Sequence, residues 1–250
     1  MCAVVFPTDC LLCGQELELA GGASICPHCW ESLQPWLGPH CECCGLPLAS
    51  EQAAELGDAL CAPCRLGEQD FDRARSFGLY TGNLRKAILH LKFYGREYLA
   101  DRLGELLLRP FEARTECDSA LVAPVPLHPS RRRERGFNQA ELLARGLVGK
   151  IQRNEEGLEL AADLLRRIRP TSPQVGLSLS ARRENVRGVF AVSEAERARN
   201  RTVLLVDDVM TTGATLSACA AALKRAGAAR VMALSLARAT PQFPDTVASA

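Results

Sequence analysis

The side chains best able to do chemistry lie between Thr202 and Thr215. A run of β-branched and leucine residues, Thr202 to Val206, leads into Asp207 and Asp208, then two apolar residues, then Thr211-Thr212-Gly213-Ala214-Thr215. Such an unbroken apolar run reads as a strand buried on both faces. Ligands of open α/β sheets bind beyond the carboxyl ends of their strands, which is where the two aspartates stand. Adjacent carboxylates there can accept hydrogen bonds from the 2′ and 3′ hydroxyls of a ribose. The next five residues turn into a helix, and their free N–H groups, three hydroxyls and the helix dipole form an anion site suited to a 5′-phosphate. Gly213 lets the backbone approach that phosphate closely. Any one feature is also what an ordinary strand, turn and capped helix needs. Together they point to a sugar phosphate carrying pyrophosphate, 5-phosphoribosyl 1-pyrophosphate (PRPP). This is not a Walker P-loop, since no lysine follows the glycine and G-x-x-x-x-G-K is absent from the chain.

A second constellation is made of thiols. Of the 12 cysteines, eight form the pairs Cys10/Cys13, Cys26/Cys29, Cys41/Cys44 and Cys61/Cys64, each with two residues between. In a chain with no evident export signal this spacing predicts metal ligation, not disulfides. Two such pairs supply four thiolates to a tetrahedral Zn²⁺. Glycines follow Cys13 and Cys44, as a tight knuckle requires. Sequential pairing, giving two zinc ribbons, is the simplest arrangement. An interleaved pairing stays open, and Cys43 is an extra thiol inside one knuckle. Four sulfur ligands leave no open coordination position, so both sites are expected to be structural.

Around these groups the chain divides. Residues 1–66 are rich in Cys, Gly and Pro and can bury little apolar surface, so metal must hold them. From Arg75 onwards strand and helix patterns alternate. Arg75–Tyr80 reads as a strand. Helices follow, marked by Leu84, Ile88, Leu89 and Leu91, then by Leu99, Leu103, Leu106 and Leu107. Ala120–Pro126 is a short strand. Asn138 suits the N-cap of a helix carrying Leu142, Leu143 and Leu147. Beyond Thr202–Val206 come a helix over Thr215–Ala226, stopped by Gly227, and a strand over Arg230–Leu236. The alternation predicts an α/β fold with a parallel doubly wound sheet and helices on both faces. The expected organisation is a double zinc ribbon over 1–68, the α/β domain over 69–240 and a tail over 241–250.

Between these elements lie further candidates. Ser130–Gly136, with Arg131, Arg132, Arg133 and Arg135, is read as a basic loop clamping pyrophosphate. Arg135 is the best single candidate, and a solvated turn is the alternative for the three others. Lys92 is a second cation for the same anion. His128 is either a proton donor or a structural histidine between prolines. Residues 164–188 are polar, with Pro170 and Pro173, and read as a long loop with a short helix that could close over the site.

Hydrophobic residues make up 47% and charged residues 24% of the chain, as in folded globular proteins. The N-terminus lacks a basic region and a long apolar run, and no stretch reaches the roughly 18 apolar residues of a membrane span, so the cytoplasm is expected. The net charge of +1 conceals a division: residues 1–70 carry one basic and ten acidic side chains, and the remainder 29 basic and 19 acidic. Such asymmetry marks modules that face each other or different partners.

The whole pattern resembles the ComF family (ComF/GntX-like proteins). Besides the cysteine pairs and residues 203–215, the resemblance rests on three segments. They are Tyr80-Thr-Gly82 with Leu89-His-Leu-Lys92-Phe93; Pro124-Val-Pro-Leu-His-Pro129 with Arg135-Gly-Phe-Asn-Gln139; and Arg169-Pro-Thr171 with Gln174, Leu177, Arg183-Glu-Asn185-Val-Arg-Gly188-Val-Phe190. It implies a type I phosphoribosyltransferase fold behind a double zinc ribbon, and a link to DNA uptake in competence or to nucleic-acid metabolism. It implies no particular acceptor. Two readings of activity follow. One is Mg²⁺-dependent phosphoribosyl transfer from PRPP, with Asp207 and Asp208 holding ribose, Thr211, Thr212, Gly213, Ala214 and Thr215 the phosphate, and Arg135 and Lys92 the pyrophosphate. The other is a non-catalytic PRPP-sensing or single-stranded-DNA-handling adaptor. Charge assigns any single-stranded DNA contact to the basic C-terminal domain, and leaves the acidic ribbons for docking on it or on a protein partner of the uptake machinery.

Overall fold

The computed structural model describes residues 8–17, 24–48, 59–109, 120–152, 157–170 and 184–240. Residues 171–183 of the expected covering loop and the tail 241–250 lie outside these. The elements run β1 (Thr8–Asp9), β2 (Glu16–Leu17), α1 (Pro27–Glu31), α2 (Ala62–Arg65), β3 (Arg73–Leu79), α3 (Gly82–Phe93), α4 (Leu99–Leu106), β4 (Leu121–Pro124), α5 (Pro129–Arg135), α6 (Gln139–Gln152), β5 (Glu159–Leu160), β6 (Leu165–Arg167), β7 (Phe190–Val192), α7 (Ala195–Ala198), β8 (Thr202–Met210), α8 (Ala214–Arg225) and β9 (Arg230–Arg238).

One five-stranded sheet, ordered β3-β9-β8-β4-β5, organises the molecule. All four pairings are parallel, with Val203 opposite Leu121 and Val231 opposite Val203 across the centre. Strand alternation then splits the apolar side chains between two faces. Val122, Leu204, Val206, Met232 and Leu234 pack under α3, α4 and α6 through Leu84, Leu103 and Leu147. Leu121, Ala123, Val203, Leu205 and Val231 pack under α8 and the antiparallel β6–β7 hairpin through Leu216, Leu223, Leu165 and Phe190. Each valine, leucine, methionine or phenylalanine among them contributes about 1.5–3 kcal/mol when taken out of water. No helix among the described residues is long and apolar enough to cross a membrane.

Two elements differ from the sequence reading. The basic segment expected as a loop is helix α5, with Pro129 in its first turn, the His128 ring accepting from the Ser130 amide, and Gly136 at its end. Proline at the start and glycine just past the end are helix boundaries, and three consecutive arginines do not oppose one. The polar segment after residue 164 contains β6, which pairs with β7 with Leu165 opposite Val192.

The thiol pairs come together in the sequential arrangement, Cys10, Cys13, Cys26 and Cys29 in one tetrad and Cys41, Cys44, Cys61 and Cys64 in the other. Their knuckles close by Gly14 and Gly45 amides bonding to the Cys10 and Cys41 carbonyls at 2.8 Å, both glycines at positive φ. Cys10, Cys26 and Cys29 belong to the same core as Phe77 and Leu84, while Cys41, Cys44 and Cys61 share a core with Phe71 and Ala74. The ribbons therefore grip opposite faces of the sheet. Lys86 and His90 of α3 bond to the Leu12 and Leu11 carbonyls, and Arg102 lies 4.3 Å over the Trp30 ring. On the other side the Ala74 amide bonds to the Cys43 carbonyl and Arg75 pairs with Glu42 at 3.0 Å.

Helices α4 and α6 meet backbone to backbone at Gly104 and Gly146. A methyl group on Gly104 would lie 2.6 Å from the Leu143 carbonyl oxygen, and one on Gly146 2.8 Å from the Asp101 Cα. Overpacking of this kind costs about 1–3 kcal/mol. Gly146→Ala should therefore lower unfolding free energy by that amount in urea, whereas Gly149→Ala, whose methyl group meets nothing within 4 Å, should not.

Candidate functional site

Because the sheet is parallel, the C-terminal ends of β4, β8 and β9 open on one edge, and a cleft of about 510 Å³ lies there. This volume is ordinary for a small-molecule site. Strand β8 brings Asp207 and Asp208 to its floor. Successive side chains leave a strand on opposite sides, so the two carboxylates have different partners. Asp208 is 3% exposed and its Oδ2 lies 2.8 Å from Lys92 Nζ, at the end of α3. Asp207 Oδ1 accepts from the Asp208 amide at 2.9 Å. Burial, and then the neighbouring Asp208 charge, raise the Asp207 pKa to about 7. Burial acts against the charge on Lys92, but Asp208 and then Asp207 outweigh it and hold its pKa above the ordinary lysine value.

After Met210 the chain turns through Thr211-Thr212-Gly213 into α8. Gly213 sits at φ +82°, and a methyl group on it would meet Met210 Cε at 2.7 Å. Thr211, Gly213, Ala214 and Thr215 line the cleft. Thr212 is not among its lining residues: its Oγ1 accepts from the Ala214 amide at 3.3 Å. The twelve-residue α8 directs its N-terminal amides at the cleft. Arg135 and Arg131 of α5 line the opposite wall. Arg135 donates to Gln139 Oε1 at 2.6 Å and lies 5.3 Å over the Phe93 ring. Burial lowers its pKa and Asp208 opposes that shift. His128 also lines the cleft, with its Nδ1 2.7 Å from Ser130 Oγ, in the helix-capping role already described. The arrangement gathers two carboxylates, a hydroxyl-rich helix start and several cations into one hollow, a set suited to a polyanionic sugar.

Some participants carried no signal in the sequence. Arg167 reaches the cleft from β6, a strand hidden in a polar stretch. Gln69 and Asp70, just past the last thiol pair, support the turn from beneath: Gln69 Nε2 donates to the Thr212 carbonyl at 3.3 Å, and Ser217 Oγ donates to Asp70 Oδ2 at 2.7 Å. Only contact across 143 and 147 positions reveals them.

The thiol tetrads suit zinc. A Zn–S length of about 2.3 Å in a tetrahedron sets sulfurs roughly 3.8 Å apart. Cys13 and Cys26 Sγ are 3.9 Å apart, and Cys44 and Cys61 Sγ 3.5 Å. The Cys44 thiol hydrogen-bonded to Cys41 leads in lowering the Cys41 pKa to about 4. For Cys10 burial is opposed and outweighed by backbone N–H groups, Cys26 first, leaving about 6. Burial and neighbouring thiols push Cys29, Cys44 and Cys64 the other way, so metal binding must displace protons from these sites. Cys43 stands outside both tetrads.

Comparison with known proteins agrees with both halves. A double zinc ribbon domain model matches residues 1–65, and a phosphoribosyl transferase domain model matches residues 154–245. The chain is thus a double zinc ribbon fused to a phosphoribosyltransferase-type domain, and the ribbons hold structural zinc. It is 30% identical to competence protein F of Haemophilus influenzae over 94% of this chain and 98% of that one. It is 31% identical to the DNA utilization protein YhgH of Salmonella typhimurium, over 93% and 97% of the two chains, and 24% identical to competence protein ComFC of Bacillus subtilis, over 92% and 94%. The chain belongs to this family, the ComF family. A hypoxanthine phosphoribosyltransferase from Staphylococcus aureus aligns at 15% identity and a TM-score of 0.34, covering 62% of this chain and 70% of that one.

The Asp207 shift has a measurable sign. A carboxyl whose pKa rises on folding keeps a proton that the unfolded chain has lost, so stability falls as pH rises from the unfolded value near 3.8 to about 7. Between about pH 5.5 and pH 8 this group should cost the wild type on the order of 2 kcal/mol that Asp207→Asn does not lose. Parallel urea-derived stability curves for the two proteins would refute the assignment.

Proposed function

We propose that the cleft binds PRPP with Mg²⁺. The observation carrying this reading is the convergence of Asp207 and Asp208 at the end of a central parallel strand, the Thr211–Thr215 turn into α8, and Lys92, Arg131 and Arg135 around one hollow. The carboxylates hold the ribose hydroxyls and favour the dication. The helix start and its hydroxyls hold the 5′-phosphate. Arg135 and Lys92 take the pyrophosphate. Phosphoribosyl transfer is the candidate reaction, with pyrophosphate displaced from the anomeric carbon. Arg135 would offset charge on the departing group, and Asp207 and Asp208 would fix the sugar. Calorimetric titration with Mg²⁺–PRPP tests the binding. Asp207→Asn with Asp208→Asn, or Thr215→Val at a hydroxyl that lines the cleft, should weaken it by about 1–3 kcal/mol per lost charge-assisted bond. Equal affinity in the variants and the wild type would remove the cleft from consideration. Consumption of PRPP with a panel of bases, amines and single-stranded DNA separates a transferase from a sensor.

A second reading, a single-stranded-DNA-handling adaptor of the cytoplasmic uptake machinery, is supported by the charges on α5. Arg131, Arg132 and Arg133 are exposed, and a second hollow of about 980 Å³ holds Arg132, Arg133 and Arg166 and shares Arg167, Pro126 and Leu127 with the cleft. The names of the competence and DNA utilization relatives favour the same partner. The ribbons, acidic and poor in cations, fit a protein contact better than a phosphate backbone. Replacing Arg131, Arg132 and Arg133 with Ala should weaken single-stranded DNA binding and reduce its log–log salt slope by about 2, at ~0.7 per lost phosphate contact. An unchanged slope in fluorescence anisotropy titrations would exclude α5 as the DNA surface.

A further inference from the structure

Arg238, the last residue of β9, is 4% exposed. A buried guanidinium needs an anion, because an unpaired charge in the interior is strongly unfavourable. Among the described residues no carboxylate forms an ion pair with it, and its Nε and Nη1 are buried without a hydrogen-bond partner. Its Nη2 lies 3.7 Å from Cys44 Sγ, and it faces Cys41, Cys61 and Cys64 of the same tetrad. Zinc bound by four thiolates carries a net charge of −2, which is the anion this cation requires.

The other tetrad is arranged differently. Its polar neighbour is the neutral Asn83 amide, 3.9 Å from Cys29 Sγ, and Lys86 donates to a carbonyl, not to sulfur. Arg238 is also tied to the cleft. Its carbonyl accepts from the Tyr80 amide at 2.9 Å, it lies in register with Met210 at the end of β8, and the Ala239 amide donates to the Met210 carbonyl at 2.9 Å. Tyr80, Met210 and Ala239 all line the cleft.

We infer that the second thiolate cluster, loaded with zinc, is the counter-anion of Arg238, and that this pair holds the strand ends framing the cleft. The first cluster fastens its ribbon to α3 and has no such role. Arg238 is thus a positioning residue, joining a metal site to a ligand site that it does not touch. The link to ligand affinity rests on the PRPP reading, whereas the link between cation and cluster does not.

The full-length zinc-loaded protein provides the test. Zinc release to a chromophoric chelator is followed while thiol alkylation is mapped by peptide mass spectrometry. Arg238→Met should speed release from Cys41, Cys44, Cys61 and Cys64 by about 10–100-fold, as loss of a group supporting metal ligands does. Release from Cys10, Cys13, Cys26 and Cys29 should stay unchanged, and Arg238→Lys, which keeps the charge, should stay within about threefold of wild type. Wild-type protein stripped of the second zinc alone should show faster amide exchange over 207–215 and 236–240, and protein stripped of the first should not. Unchanged release in Arg238→Met, equal acceleration at both clusters, or exchange over 207–215 that ignores the second zinc would each overturn the inference. If wild type fails to bind PRPP while release still depends on Arg238, the cation–cluster pairing stands and the ligand reading falls. Should Arg238→Met fail to fold, the Arg238→Lys release rates and the wild-type exchange data decide.

Discussion

A sheet whose strands all run one way presents all its carboxyl ends along one edge, and here that edge must accommodate charge. Strand β8 is buried through Val203–Val206 and then delivers two adjacent acids to the floor of a hollow. Carboxylates at such a place are tolerable only if cations are supplied. Lys92 arrives from α3, Arg131 and Arg135 from α5, and Arg167 from the hairpin. They come from three separate elements, so the order of strands and helices is also what assembles the local charge balance. The alternation of Asp207 and Asp208 about the strand divides the burden: one carboxylate is neutralised by an ion pair, and the other by holding its proton more tightly.

The same requirement explains how the acidic N-terminal segment relates to the rest. Residues 1–70 carry ten acidic side chains and one basic one, and the thiolates deepen that imbalance. Part of the opposite charge is met across the contact, where Glu42 pairs with Arg75 at 3.0 Å and lies 3.8 Å from Arg73. The ribbons also contribute apolar surface. Leu12, Ile25 and Leu33 are buried with Phe77, and the two tetrads clasp the sheet from its two faces.

Much of this was legible in the sequence because it depends on local rules. The apolar run before Asp207, the glycines after Cys13 and Cys44, and the alternation of strands and helices each have a short-range physical cause. So does the pairing of thiols by nearness along the chain. What escaped depends on long-range contact or on weak local preference. Helix α5 was hidden because a run of arginines reads as solvated whether helical or not, although Pro129 and Gly136 marked its limits. Strand β6 was hidden because three residues, Leu165–Arg167, carry too little pattern to outweigh polar surroundings. Gln69, Asp70 and Arg238 matter through partners far away in the chain, and a single sequence gives no view of those partners.

The shared cores also bear on how such a chain can be inherited. The double zinc ribbon that a family model recognises ends at residue 65, so a recombination event just beyond it would look clean in the genetic text. It would not be clean in the folded molecule. A C-terminal portion moved alone would carry Phe77 and Leu84 without the ribbon residues that cover them, and Arg238 without its sulfurs. It would need new polar residues at those positions before it could persist in water. The ribbons would meet the mirror of the same problem, their inward apolar residues having no sheet to lie against. The two modules are separable as motifs and joined as matter, so they are constrained to travel together.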